Sequence, residues 1–324
     1  MKRFFRSEAG ATVLWVILSM LLAAVIVPWL YRAGTSLGEA AATRDLPAFF
    51  EWLGNAGAGA KYSRYYSRSL SFSALLLLPF LLRRIRLVKA GSLCVDEAAS
   101  RFSWKCGLLQ TAAGFVVAGG LLWGLGMLLH HWGAYVANPK TLSLGKVIGS
   151  IAIPAIAASL VEEWLFRGVL LGLWLRFSKP QAACVGTSLF FAFIHFLEPP
   201  AGSAITDPAS PLAGFELLGK IMLHFTNPQF FVTDFATLFV IGMILSWARL
   251  RTGSLWFPIG LHAGWIFAFK GYNLLYRGVP SHAVHPWGLG DSLRSGLLPM
   301  LTLALTVGVC RIVLERFDPK RVIA

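Results

Sequence analysis

Two adjacent carboxylates, one guanidinium and two imidazoles stand inside apolar stretches of this chain. Glu162 and Glu163 follow a charge-free run from Val147 to Val161, and Arg167 precedes another from Gly168 to Leu175. His195 closes the segment Phe191-Ala192-Phe193-Ile194-His195, and His262 lies in Gly260-Leu261-His262-Ala263-Gly264. Ionisable groups inside a membrane span are costly and usually face an internal cavity, so they mark functional sites. Glu163 and Arg167 are four residues apart, share one helix face and can pair. Glu162 points about 100° away and is freer to meet other helices. The arrangement suits a division of labour, with one carboxylate held ionised and the other available for proton transfer. A carboxylate beside an imidazole can activate a water as general base. An imidazole N–H can also stabilise the oxyanion formed at an attacked carbonyl.

Other chemistries fit less well. No GxSxG elbow is present, and Ser159 and Ser188 sit in ordinary apolar helix context. Glutamate and two histidines could bind zinc with one open position, but the HExxH spacing is absent. Carboxylate activation of water without a cofactor is therefore the favoured expectation, with zinc the lesser alternative. The four cysteines form no CxxC pair, and reduced thiols without a disulfide framework are expected.

These residues need helices that bury them at a common depth. The chain has 324 residues, of which 56% are hydrophobic and 14% charged, with mean hydropathy +0.65. That composition predicts an all-α, polytopic membrane protein. Eight spans are predicted: Ala11–Tyr31, Ser69–Leu82, Gly107–His130, Val147–Leu175, Ala182–Phe196, Phe230–Ala248, Leu255–Phe269 and Ser295–Cys310. The first is long for a cleaved signal and is expected to be a retained anchor. Lys and Arg are denser in segments 1–10, 83–106, 176–181, 249–254 and 311–324 than in the alternate loops. That bias places both termini in the cytoplasm, and a bacterial cytoplasmic membrane is the expected location. Glu162 and His195 then lie roughly 21 Å, and His262 roughly 15 Å, from the cytoplasmic ends of their spans, at about 1.5 Å per residue. All three fall in one layer near mid-bilayer.

The net charge of +14 reads as basic residues flanking spans, including the run from Arg83 to Arg86, rather than as a nucleic-acid surface. Residues 32–68 resemble a partly ordered surface loop. Between residues 212 and 225 a polar stripe of Glu216, Lys220 and His224 opposes Phe215, Leu218, Met222 and Phe225, which predicts an interfacial helix. No internal repeat is evident, so one domain, 1–324, is expected. The motif region would cover about 147–270, and the spans within 11–130 would be accessory.

Together the motifs resemble the CAAX-protease and bacteriocin-processing family of intramembrane glutamic endopeptidases. That family shows EExxxR, FxxxH and a later HxxxN or HxxxD on separate helices. The matching residues are Glu162-Glu163…Arg167, Phe191…His195 and His262. The resemblance implies that Glu162 activates water, that His195 orients or shares it, and that His262 helps bind the oxyanion. Glu163 and Arg167 would position the site. It also implies a membrane-anchored protein or peptide as substrate, beside the lipid bilayer itself. Ile266 stands where the family carries Asn or Asp, which removes one expected donor and implies impaired catalysis. A non-proteolytic immunity or scaffold protein of the same fold is the alternative. A transporter is a third reading, against which stands the lack of paired inverted halves.

Overall fold

The computed structural model describes residues 8–84, 104–139, 143–176, 178–197, 204–228, 231–279, 293–294 and 296–315. The basic N-terminal residues and the basic run beyond Arg84 lie outside them. The chain is an all-α polytopic membrane protein with one short added ribbon. Among the described residues, five helices are long and apolar enough to cross a membrane. They cover Gly10–Thr43, Trp104–His131, Ile148–Trp174, Val232–Thr252 and Leu297–Glu315. The three other predicted spans are also helical, but one of them, Pro180–His195, has only 16 residues.

Two compact units emerge, Met1–Ser92 with His195–Asn227, and Leu93–Ile194 with Pro228–Ala324. The first contains α1 (Glu8–Thr43), α2 (Ala48–Ala58) and α3 (Tyr62–Arg84). Thus most of the segment 32–68, expected as a loop, is helical. Glycines explain this: Gly54 meets the Leu37 carbonyl of α1, where a Cβ would lie only 2.7 Å away, and Gly57 faces Gly34. Small residues let α2 fold back against α1 at backbone distance.

The second unit begins with α4 (Trp104–His131), followed by β1 (Tyr135–Ala137). A composite helix, α5, then runs from 144 to 174. The helix α6 (Pro180–His195) ends at the boundary between the units. In the first unit, α7 (Ala213–His224) forms the expected helix, but it buries Ala213, Gly214, Leu217 and Ile221, while Phe215 and Met222 of the expected apolar face are exposed. Gly214 sits on the Ala24 carbonyl of α1, a place that admits no side chain.

The second unit continues with α8 (Ala236–Thr252), α9 (Trp256–Leu275), β2 (Tyr276–Gly278) and α10 (Leu297–Glu315). Its core gathers Leu122 and Leu125 of α4, Leu245 of α8, Leu261 and Trp265 of α9, and Leu303 of α10. Gly253 caps α8 in the left-handed conformation at φ 66°, and its N–H bonds to the Arg249 carbonyl. This permits an abrupt turn into α9.

The dominant packing is α4 along α9. Gly260 and Gly264 stand against the carbonyls of Thr111 and Phe115. From the opposite side, a Cβ on Gly114 would lie 2.7 Å from the Phe257 carbonyl. The third predicted span, grouped by sequence with the accessory region, is therefore the direct support of the helix that carries His262. At the far end, β1 and β2 pair antiparallel with Val136 opposite Arg277. There the His130 Nδ1–H donates to the Tyr135 carbonyl at 2.7 Å, and Tyr272 donates to the Gly126 carbonyl.

Candidate active site

The helix α5 is not regular. It carries a π turn at Ile148–Ala152, closed by the Ile153 N–H on the Ile148 carbonyl. Pro154 follows at once, and since it lacks a donor, a local widening accommodates it. A second π turn, Trp164–Leu170, starts immediately after Glu163 and contains Arg167. The Leu171 N–H closes it on the Phe166 carbonyl. Extra residues of this kind re-aim side chains and concentrate at functional sites.

Inside that turn, Arg167 donates from Nη1 to Glu163 Oε1 at 2.9 Å. Its Nη2 donates to the Gly242 carbonyl of α8 at 3.2 Å. Both ion-pair side chains are sealed, at 1% and 0% exposure. The guanidinium lies 4.4 Å from the centroid of the Phe191 ring of α6. Phe166 meets Phe191 edge-on at 5.1 Å. The positive charge is thus held by a carboxylate, a carbonyl and an aromatic face.

His262 completes the cluster. Its Nδ1 lies 2.8 Å from Glu163 Oε1, the same oxygen that Arg167 holds. Its Nε2 faces Glu162 Oε2 at 3.8 Å. Phe191 packs against the imidazole at a centroid distance of 6.0 Å and 74°. Glu162 differs from its neighbour: its side chain is 28% exposed, against 0% for Glu163. One carboxylate is therefore enclosed by the ion pair, and the other is partly exposed with its Oε2, the oxygen that faces His262, buried.

Four of the five expected residues, Glu162, Glu163, Arg167 and His262, are brought together within one unit. His195 is the last residue of α6, is half-buried, and is counted with the other unit. Ile266 is half-buried one turn beyond His262. Among the described residues, no three His, Cys, Asp or Glu side chains are disposed to hold a metal ion.

Residues 144–268 match the family model for type II CAAX prenyl endopeptidase Rce1-like proteins. Over this segment the chain is similar to that family. No curated protein and no solved structure matches the chain significantly. The Rce1-like segment spans α5 through most of α9 and so contains every clustered residue. Its family is one of endopeptidases, which makes peptidase chemistry the activity associated with it.

Sequence reasoning missed three contributors. Gly242 supplies the carbonyl that holds Arg167, and only a glycine inside an apolar span hinted at it. The second π turn had no signal in residue types. The Gly260-xxx-Gly264 seam did have one, because GxxxG in an apolar helix marks a close helix contact.

Proposed function

We propose that this chain is an intramembrane endopeptidase that hydrolyses a peptide bond in a membrane-associated protein or peptide. Glu162 is the base that takes a proton from water, and His195 orients that water. Glu163 and Arg167 fix His262 and the helix turn. The observation that carries this reading is the unequal treatment of the two carboxylates. Glu163 is enclosed in an ion pair, whereas the Glu162 side chain is 28% exposed as a whole and sets its buried Oε2 beside an imidazole nitrogen. A general base must be ionised, reachable by water and adjacent to a proton partner. The proposed setting is a bacterial cytoplasmic membrane with both termini in the cytoplasm, no resident cofactor and no nucleic acid.

The test is cleavage of a membrane-anchored candidate peptide by purified protein in lipid. Glu162→Gln and His195→Ala are expected to lower kcat by about 10²–10⁴, the usual range for general acid–base groups, while folding and insertion persist. Full activity in well-folded Glu162→Gln protein refutes the reading. Cleavage that survives strong chelators favours direct carboxylate activation, and cleavage restored by zinc favours the metal alternative. Ile266 motivates the second reading, a non-proteolytic membrane factor. Under it, Glu162→Gln leaves the cellular phenotype intact.

A further inference from the structure

We infer that the open groove between α1 and α3 holds an acyl chain of an anionic phospholipid, with the lipid phosphate at Arg83. The groove lies wholly in the first unit, and its occupant is independent of the endopeptidase reading. Leu14, Trp15 and Leu18 of α1 face Leu77, Phe80 and Leu81 of α3 across a cavity of about 260 Å³. Leu81 is buried there, whereas Leu14, Leu18 and Phe80 stay 41%, 44% and 67% exposed. No lining residue is charged. The Trp15 indole N–H already donates to the Ala74 carbonyl at 3.1 Å. Further along, the helices close on each other, with the Tyr66 hydroxyl 3.5 Å from the Met20 carbonyl and Ser69 and Ser73 fully buried. Pro79 interrupts α3 beside the groove. It has no N–H for the Leu75 carbonyl, a usual cause of a bend.

Chemistry and charge together select the occupant. α1 is apolar enough to cross a membrane over Gly10–Thr43, so the groove opens to hydrocarbon rather than to water. A polar ligand would leave its groups unpaired against these side chains. From Ala11 to Leu18 the lining rises roughly 10 Å, enough for a stretch of acyl chain. The contacts Met20 with Tyr66 and Trp15 with Ala74 show that α1 and α3 run antiparallel, so Ala11 and Leu81 share one end. At that end α3 continues to Arg83, which is exposed and lies one turn beyond Phe80 on the same face. In sequence, Lys2, Arg3 and Arg6 stand just before α1, and Arg84 and Arg86 just after Arg83, with Glu8 the one acid among them. Basic clusters at the end of a span attract anionic headgroups, and a guanidinium suits a phosphate. A zwitterionic lipid offers the same chain without the net charge. Inorganic phosphate offers the charge and nothing for the groove.

The test counts retained lipid by native mass spectrometry. The full chain in detergent is mixed with phosphatidylglycerol or with phosphatidylcholine of the same chain length. One phosphatidylglycerol should stay bound under conditions that strip phosphatidylcholine. Leu14→Trp and Leu77→Trp fill the groove and should abolish that retention. Arg83→Ala should lower the preference for phosphatidylglycerol about fivefold, the usual effect of one basic residue at a membrane surface. Leu305→Trp, at a 56% exposed position of α10 in the other unit, is the matched control and should keep the lipid. Equal retention of the two lipids by the wild type, or an equal loss in Leu305→Trp, overturns the inference. A second measurement leaves the chain intact and does not depend on a variant folding. Phosphatidylglycerol with a photoreactive group on its acyl chain should label residues 11–18 and 77–81 above all others. Labelling spread evenly onto exposed residues such as Leu301 and Leu305 overturns the inference. Excess inorganic phosphate should leave the labelling in place. Its loss to phosphate would mean that an ion, not a lipid, is the ligand, and would overturn the inference as well.

Discussion

Two ion pairs in this molecule have the same spacing and opposite surroundings. Glu163 and Arg167 are four residues apart, as are Glu216 and Lys220. Their contact distances are nearly equal, 2.9 and 2.7 Å. The first pair is sealed, while the second is about one-third exposed. In α7, Glu216 also accepts from the Thr206 N–H and hydroxyl, and Lys220 donates to the Ala204 carbonyl, so that pair fastens a loop to a helix. In α5, the pair fixes an imidazole, and its Arg167 lies within a π turn. Spacing alone thus does not say what an ion pair is for. The environment decides whether the charges position chemistry or tie down a surface.

The sharpest way to break the comparison is to remove one partner of each. Arg167→Ala leaves Glu163 as an uncompensated buried anion, and such losses cost about 3–5 kcal/mol. We expect failure to accumulate in the membrane, or a large fall in Tm in detergent. A double replacement, Glu163→Leu with Arg167→Met, removes both charges and should recover much of the stability. It should not recover cleavage, because His262 then has no anchor for Nδ1. If the double variant remained active, the pair would be structural only. Lys220→Ala, by contrast, should leave Tm and cleavage unchanged within error, as exposed pairs contribute little.

The next effect tests the support beneath the buried pair. Gly260→Ala places a methyl group against the Thr111 carbonyl, a backbone atom that cannot step aside cheaply. Overpacking of this kind typically costs about 1–3 kcal/mol. It would shift α9 relative to α4, and with it His262. Cleavage should fall by more than the loss of folded protein accounts for, as measured by activity per folded molecule. Gly219→Ala on α7 is the matched control, since nothing lies within 4 Å of its added Cβ. It should be silent.

Much of this arrangement was legible in residue types. Charges stranded among apolar residues located α5, and the four-residue spacing foretold the Glu163–Arg167 bond. The depth argument placed Glu162, His195 and His262 in one layer; of these, Glu162 and His262 meet, and His195 is counted with the other unit. The polar stripe of Glu216, Lys220 and His224 announced α7. What escaped was backbone geometry. A π turn arises from tertiary packing around one inserted residue, and no residue in 164–170 demands it. Residues 32–58 read as a loop because glycine and alanine are weak hydrophobic signals. Their smallness is what lets α2 pack so closely against α1. The Gly242 carbonyl is invisible for a similar reason: a backbone acceptor has no sequence signature.

The smallest expected effect belongs to the exposed pair and is one of pH. Lys220 first, and then the Thr206 backbone N–H, hold the Glu216 carboxyl below the usual carboxylate value. A folded-state value below the unfolded one means that the native form binds this proton less readily than the unfolded chain does. Its stabilising contribution is therefore complete above the unfolded carboxylate value, about 4.3, and fades as pH falls through the lower folded value. The loop at 204–212 should accordingly become more open to hydrogen exchange or proteolysis only under strongly acidic conditions. In Glu216→Gln, that acid-dependent step should disappear, leaving the loop uniformly more open across the range. Cleavage near neutral pH should be untouched in both proteins. A neutral-pH loss of activity in Glu216→Gln would mean that the surface latch and the buried cluster are coupled, and the contrast drawn between the two pairs would fail.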